Sequence, residues 1–400
     1  MTQDKQNNRP NVPPLRFPGF TEPWQCKRLG DCCSPLEYGM NSAATSYDGT
    51  NKYIRITDID EETSQYKTDD LVSPSGILDD KYLVKDHDIL FARTGASTGK
   101  TYHYDPKNGR MYFAGFLIRA NVNKQYNSRF VFYQTQLKRY WRWVQVMSTR
   151  SGQPGINSQE YEAFKLFLPS NDEQNKITDF ISLLDRRIAI QSRVIERLQS
   201  LMGGITLHAV KSKDCENVHL KDILTERNER NIALNDVCSV SVTKGVVNQV
   251  EYLGRSFAAK NTSNYNVVHY GDIVYTKSPT GDFPFGIVKR SEQVNPVAVS
   301  PLYGVYQPAS DDIGVFLHFY FCNPVSTKNY LHKLIQKGAK NTINITNQRF
   351  LENSICLPQK ETLKKIVNLL SALSSKQRQE EHVLDLLVKQ KQFLLNHMFI

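Results

Sequence analysis

The strongest constraint on this chain is an apolar seam inside the segment from Leu168 to Ala209. Ile177, Ile181, Leu184, Ile188, Ile195, Leu198, Met202 and Ile205 follow in alternating steps of four and three once Gln191, the one polar residue on the line, is counted. That period belongs to a helix whose stripe must be covered by another helix. Pro169 and Ser170, with Glu173 three residues on, read as a capping-box start. Gly203-Gly204 either stops the helix or lets it run on toward Ala209. A helix of ~30–36 residues is roughly 45–55 Å long, too long for an ordinary core helix.

The chain carries its own candidate partner. The segment from Leu357 to Ile400 also opens on Leu-Pro, and a shift of 189 residues lays Pro169 on Pro358, Ile177 on Ile366, Leu184 on Leu373 and Leu198 on Leu387. The second seam runs through Ile366, Leu370, Leu373, Leu384, Leu387 and Leu394, with Gln377 and Glu380 interrupting its middle. A fixed shift over two such segments predicts a two-copy protein.

The stretches between the helices repeat as well. DHDILFART parallels YGDIVYTKS, with Asp88 matched to Asp272, and QPGIN parallels KNTIN, with Asn157 matched to Asn344. Short strand-like runs separated by Gly, Asn and Asp precede a helical stretch in the first copy. The expected fold class is α+β: two tandem, similar globular domains separated by two long antiparallel helices that form an intramolecular coiled coil. Residues 1–14 read as a disordered lead, 15–168 as the first domain and 169–209 as the central helix. Residues 215–357 read as the second domain and 358–400 as the terminal helix. Matches are sparse within the domains, so the copies share a frame and differ in content.

Charge gives the frame a direction. The formal net charge is +10, a balance that suits an anionic partner. Between Pro106 and Gln159 there is no Asp or Glu, yet Lys107, Arg110, Arg119, Lys124, Arg129, Lys138, Arg139, Arg142 and Arg150 fall there. The second copy has an acid-free stretch between Ile313 and Leu351, with Lys328, Lys333, Lys337, Lys340 and Arg349. Two such stretches at matching places predict a phosphate-facing surface on each domain. Tyr140, Trp141 and Trp143 are expected in the core.

No enzyme motif holds up. Gly95-Ala-Ser-Thr-Gly99-Lys100-Thr101 has three residues between its glycines where a P-loop needs four, and the second copy, KSPTGDFPFG, has no lysine there. Cys215 and His219 form a lone C-x3-H with no second pair. Asp58 to Glu62 is an acidic turn without a companion base. Seven scattered cysteines with no CxxC read as reduced thiols in a cytoplasm. No apolar run reaches the ~18–20 residues of a membrane span.

The motifs PPLRFPGFTEPWQCKRLGD, DILFARTGASTGKT, LPSNDEQNKI and LLVKQKQFLLNHMF, in this order and within a two-fold repeat, resemble the DNA-specificity subunits of type I restriction-modification enzymes. The resemblance implies two target-recognition domains, each reading half of a gapped DNA site, and helices that fix the gap and dock two methyltransferase subunits. Restriction-motor subunits join through the complex. It implies double-stranded DNA as ligand, no catalysis in this chain, and S-adenosylmethionine, ATP and Mg only on partner subunits. The DNA-facing candidates it suggests are Arg93, Thr94, Lys100, Arg150, Ser151, Gln153 and Asn157 in the first copy. In the second they are Lys277, Ser278, Lys340, Asn341 and Asn344. A P-loop enzyme resting on Lys100, or a coiled-coil scaffold without a DNA role, are the competing readings.

Overall fold

The computed structural model describes residues 11–149, 154–254, 261–337 and 343–400. The chain forms two units, Met1–Ala189 with Leu384–Ile400, and Ile190–Val383.

The first unit contains β1 (Gln25–Arg28), β2 (Glu37–Tyr38), β3 (Asp88–Ala92), β4 (Thr101–His103), β5 (Leu117–Asn121) and β6 (Lys165–Leu168). All five residues of β3 are buried, so the strand reads as a continuous apolar run rather than an alternating one. Its neighbours are β5 and β4, and the antiparallel sheet runs in the order β2-β5-β3-β4. Side chains alternate across a strand. Ile89 and Phe91 therefore meet the core that includes Phe130, Tyr133, Tyr140 and Val144. Leu90 and Ala92 meet a second cluster with Ile54, Met111 and Phe113. The helices supplying the first of these cores are α1 (Ser128–Gln134) and α2 (Lys138–Ser148). β1 pairs with β6 and closes the unit at the root of the long helix.

That helix, α3 (Asn171–Ala209), is 39 residues long. It passes through Gly203-Gly204, where an added Cβ would meet nothing within 4 Å. Met202, Thr206 and Ala209 are buried around the pair, so seam packing carries the helix past residues of poor intrinsic propensity. The capping box forms only by half. Ser170 Oγ accepts the Glu173 N–H at 3.4 Å. The Glu173 carboxylate takes Arg16 at 2.6 and 2.7 Å instead of reaching back. Proline-rich residues ahead of β1 are thereby tied down: Trp24 is buried against Phe130 and Phe399, and Leu15 N–H donates to His397 O at 2.8 Å.

The second unit repeats the frame. Its strands are β7 (Cys215–His219), β8 (Leu224–Glu226), β9 (Ile273–Thr276), β10 (Ile287–Arg290), β11 (Gly304–Pro308) and β12 (Ser354–Pro358). The sheet order β8-β11-β9-β10 matches that of the first unit strand for strand, and β7 pairs with β12 as β1 pairs with β6. Helices α4 (Asp311–Cys322) and α5 (Pro324–His332) stand where α1 and α2 stand in the other copy. α6 (Lys360–Met398) is again 39 residues long.

Both seams are covered. In the first unit Ile177, Ile181 and Leu184 share a core with Leu387 and Leu394, with Ile188 partly buried against it. Asp185 and Lys391 form an ion pair at 2.7 Å. Leu384 in the first unit is also partly buried; in the second unit Ile195, Met202 and Leu370 are buried, and Leu198, Ile366 and Leu373 are partly so. Gln191 meets Glu380 there, donating to its carbonyl at 3.0 Å and to its carboxylate. Ala209 lies in one cluster with Leu363 and Val367, so α6 runs antiparallel to α3 within this unit. The polar spots of the two seams thus meet each other: Gln191 fixes a register, since a slip would leave its amide without a partner.

The expectation of reduced thiols throughout is corrected at Cys215, which forms a disulfide with Cys356. β7 and β12 place Cys215 opposite Pro358 and Asn217 opposite Cys356. The two cysteines are thus diagonal neighbours, with Cα atoms 5.4 Å apart, inside the disulfide range. A separation of 141 residues hides this pairing from the sequence.

Candidate nucleic-acid interface

In the first unit two of the sequence-selected stretches come together. β3 ends at Ala92, and the following turn contains a single 3-10 turn at Gly95–Ser97. Gly95 N–H donates to Pro154 O at 3.0 Å, Ile156 N–H donates to Arg93 O at 2.9 Å, and Thr94 bridges Gly155. Pro154, Gly155 and Ile156 of the later loop are therefore stitched to the turn after β3. Gly99 makes the turn possible: its φ is +93°, and a Cβ there would lie 2.6 Å from Val144 Cγ1.

Within this assembly the candidates divide by what already holds them. Lys100 Nζ pairs with Glu61 at 2.5 Å and its side chain is 14% exposed. The acidic turn thus has the companion bases that the sequence reading denied it, since Arg55 also holds Asp58 at 2.8 Å. With its lysine held by a carboxylate and its glycine packed under α2, the GASTGKT turn is a structural element rather than a phosphate cradle. Asn157 caps the helix Ser158–Glu162, accepting from Glu160 N–H at 2.9 Å. Arg93 differs from both. Its guanidinium lies 4.9 Å over the Tyr38 ring, and its Nε is buried with no hydrogen-bond partner among the described residues. Arg150, Ser151, Gln153, Lys340 and Asn341 lie outside the described residues.

In the second unit the turn after β9 begins with Lys277 and Ser278, in the places Arg93 and Thr94 hold after β3. Burial holds the Lys277 ammonium below the ordinary lysine range, with Glu226 pulling the other way. Ser278 is exposed, and its N–H donates to Thr276 Oγ1 at 3.3 Å. Gly286 closes this turn at φ +108°, where a Cβ would lie 2.0 Å from Thr276 O. Asn344 sits in the ladder of Ile343–Asn344 with Gln336–Lys337. Among the described residues no hydrogen bond joins that ladder to the Lys277 turn.

The basic stretches are only partly a surface. Lys107, Arg110, Lys124, Lys138 and Arg142 are exposed. Arg119, by contrast, is buried between Glu37 and the Leu83 carbonyl. Arg139 lies 4.7 Å over the Phe167 ring, and burial pulls its pKa down to about 10. In the second unit Arg349 Nε donates to Leu334 O at 2.8 Å. Tyr140 is in the core and Trp143 packs against it, but Trp141 is 40% exposed. The sequence reading missed Tyr38 and Phe116. The usable signal was Gly115, which is part of the turn that separates Met111–Phe113 from β5.

Two copies of one antiparallel sheet, each rooted on a pair of long helix segments and each followed at the end of its central strand by a basic residue, define a two-domain repeat. Residues 21–200 match the family model described as the type I restriction modification DNA specificity domain. The match covers 180 of the 400 residues. The fold is shared with the type I restriction-modification system S subunit from M. genitalium, at 13% identity and a TM-score of 0.59, over 97% of this chain and 99% of that one. It is also shared with a chain from a structure described as the basis of complex assembly and conformational transition of the type I R-M system. There the identity is 15% and the TM-score 0.50, over 96% of this chain and 99% of that one.

Proposed function

We infer that this chain is the sequence-reading subunit of a type I restriction-modification complex, each unit reading one half of a gapped site in double-stranded DNA. The observation that carries the reading is the repeated sheet order, joined to the family match over the first copy and most of the central helix. The two central strands run into turns of different content, led by Arg93 and by Lys277, so the two half-sites differ. The long helices belong in part to both units, which makes them the element that fixes the gap.

The chain itself catalyses nothing in this reading. Two methyltransferase subunits and the restriction-motor subunits bring S-adenosylmethionine, ATP and Mg, and the complex works in the cytoplasm. Exposed apolar side chains on the helices supply docking area: Phe180, Leu183 and Phe393 in the first unit, Ile190, Val194 and Leu201 in the second. Apolar residues left outside a covered seam mark a surface for partners. Arg93, Thr94, Lys277, Ser278 and Asn344 remain assigned to DNA among the described residues, Lys100 and Asn157 being held in structural contacts.

Comparing methylomes with and without the gene tests the reading. One gapped adenine-methylation motif is expected to disappear on deletion; a methylome that keeps every gapped motif sinks the proposal. DNA binding by the assembled complex should also fall steeply with salt, which a scaffold without a DNA role would not show.

A further inference from the structure

A cavity of about 610 Å³ opens beside Arg93 in the first unit, and Tyr38, Asn41, Ser42, Arg55, Arg93 and Phe116 are among its lining residues. None of the residues lining it is acidic. Arg55 is held by Asp58 and Asp70, which leaves Arg93 as the lining cation with a buried donor unmet among the described residues.

The rim is rigid. Gly39 N–H donates to Leu117 O at 3.1 Å and Gly115 N–H to Met40 O at 2.8 Å. A Cβ on Gly39 would lie 2.2 Å from Ala114 O, so the two segments touch backbone to backbone. On that rim Phe116 stands 60% exposed, and its carbonyl accepts the Arg93 N–H at 3.0 Å. An apolar ring and a guanidinium stacked on Tyr38 are thus presented side by side by elements that cannot drift apart.

We propose that this cavity is where the first unit reads base identity, Arg93 donating to the O6 and N7 acceptors of one guanine and Phe116 packing on the adjacent base step. The proposal rests on the DNA-reading function above and assigns its chemistry. In the major groove guanine alone offers two acceptors matched to an arginine fork, and a thymine methyl is the usual apolar contact. Contact with the Tyr38 ring restrains the guanidinium in advance, which lowers the entropy lost on binding. Lys277, at the same place in the second unit, is a point charge without that fork, so the two halves of the site are read by different means.

The test uses the assembled complex in cells with Arg93→Lys and Phe116→Ala, read by methylome sequencing. Lysine keeps the charge and loses the fork. Arg93→Lys is expected to relax a guanine requirement at one position of one half-site by roughly ten-fold or more. Phe116→Ala should loosen the neighbouring position, and the other half-site should stay unchanged in both variants. If both variants write the wild-type motif at wild-type levels, the inference is wrong. A uniform drop in methylation at an unchanged motif is also against it, because that marks a phosphate contact. Phe116 is exposed, so its variant decides the matter if Arg93→Lys does not fold. A wild-type chain that writes no gapped motif defeats the underlying function instead, which keeps the two failures apart.

Discussion

The two units carry one frame with different fittings. Sheet order, the strand pair at the helix root and the buried aspartate that opens each central strand recur. Asp88 accepts the Lys85 N–H at 2.7 Å, and Asp272 accepts the His269 N–H at 2.8 Å. Past the end of the strand the likeness stops. The first unit has Arg93 stacked on Tyr38, a lysine–glutamate pair and a stitched loop. The second has a half-buried lysine followed by an exposed serine. The difference teaches where such a protein can vary: the frame is held by burial on both faces of a sheet, and the turns beyond it are free to change partner.

The comparison can be broken most forcefully at the paired aspartates. Asp272 holds Arg227 through both carboxylate oxygens, at 2.8 and 3.0 Å. Replacing it by alanine takes both hydrogen bonds from a largely buried guanidinium, leaving only the looser Glu229 contact at 3.7 Å, and should cost the second unit about 3 kcal/mol. Asp88 rests on Asn121 at 2.7 Å, with Arg119 farther off at 3.8 Å, and burial pushes its pKa above the usual carboxylate range. A raised carboxyl pKa favours the protonated folded state, so its contribution to stability is present at low pH and is lost as pH rises through the folded value. Asp88→Asn should therefore be the milder change and should flatten that pH dependence. Urea titrations of the full chain, read by hydrogen exchange in each unit, would show both; equal losses would erase the distinction.

A smaller effect should follow from the disulfide. The first unit has no counterpart, since Cys26 faces Phe167 across β1 and β6. Reduction, or Cys215→Ser, should lower the stability of the second unit by about 2–4 kcal/mol and leave exchange in the first unit unchanged. Loss in both units would mean that they do not unfold separately.

The mildest contrast concerns thiol reactivity. Burial holds Cys32 up at about 11. At Cys322 burial also pushes upward, but His318 and Lys289, the latter 3.2 Å away, outweigh it and bring the thiol down to about 6. Its depressed pKa adds stability that is lost as pH falls through about 6. Iodoacetamide labelling should reach half its maximal rate near pH 6 at Cys322 in the native chain and move upward in Lys289→Met. Faster labelling of Cys32 than of Cys322 at pH 7 would reverse the assignment.

Much of the frame was legible because its signals are local or periodic. The seams, the Leu-Pro starts and the Asp88/Asp272 register needed only spacing, and each corresponds to helix or strand in the structure. What failed was anything that depends on which side a residue faces. Arg119 and Arg139 belong to a basic stretch yet point inward, where a carboxylate or an aromatic ring receives them. Glu173 has the right spacing for a capping box and is drawn away by Arg16, 157 residues earlier. The Tyr38–Arg93–Phe116 cavity joins three separate strands' ends, and no single window of sequence contains it.

The helix α6 gives the first unit an unusual dependence on the order of synthesis. Its core includes Leu387, Leu394, Leu395, Met398 and Phe399, which leave the ribosome after every residue of the second unit. The domain that comes first in the sequence is thus the one finished last. Until then Trp24 and Phe130 await the ring that covers them, so a nascent chain holds a completed second unit while the first is still open.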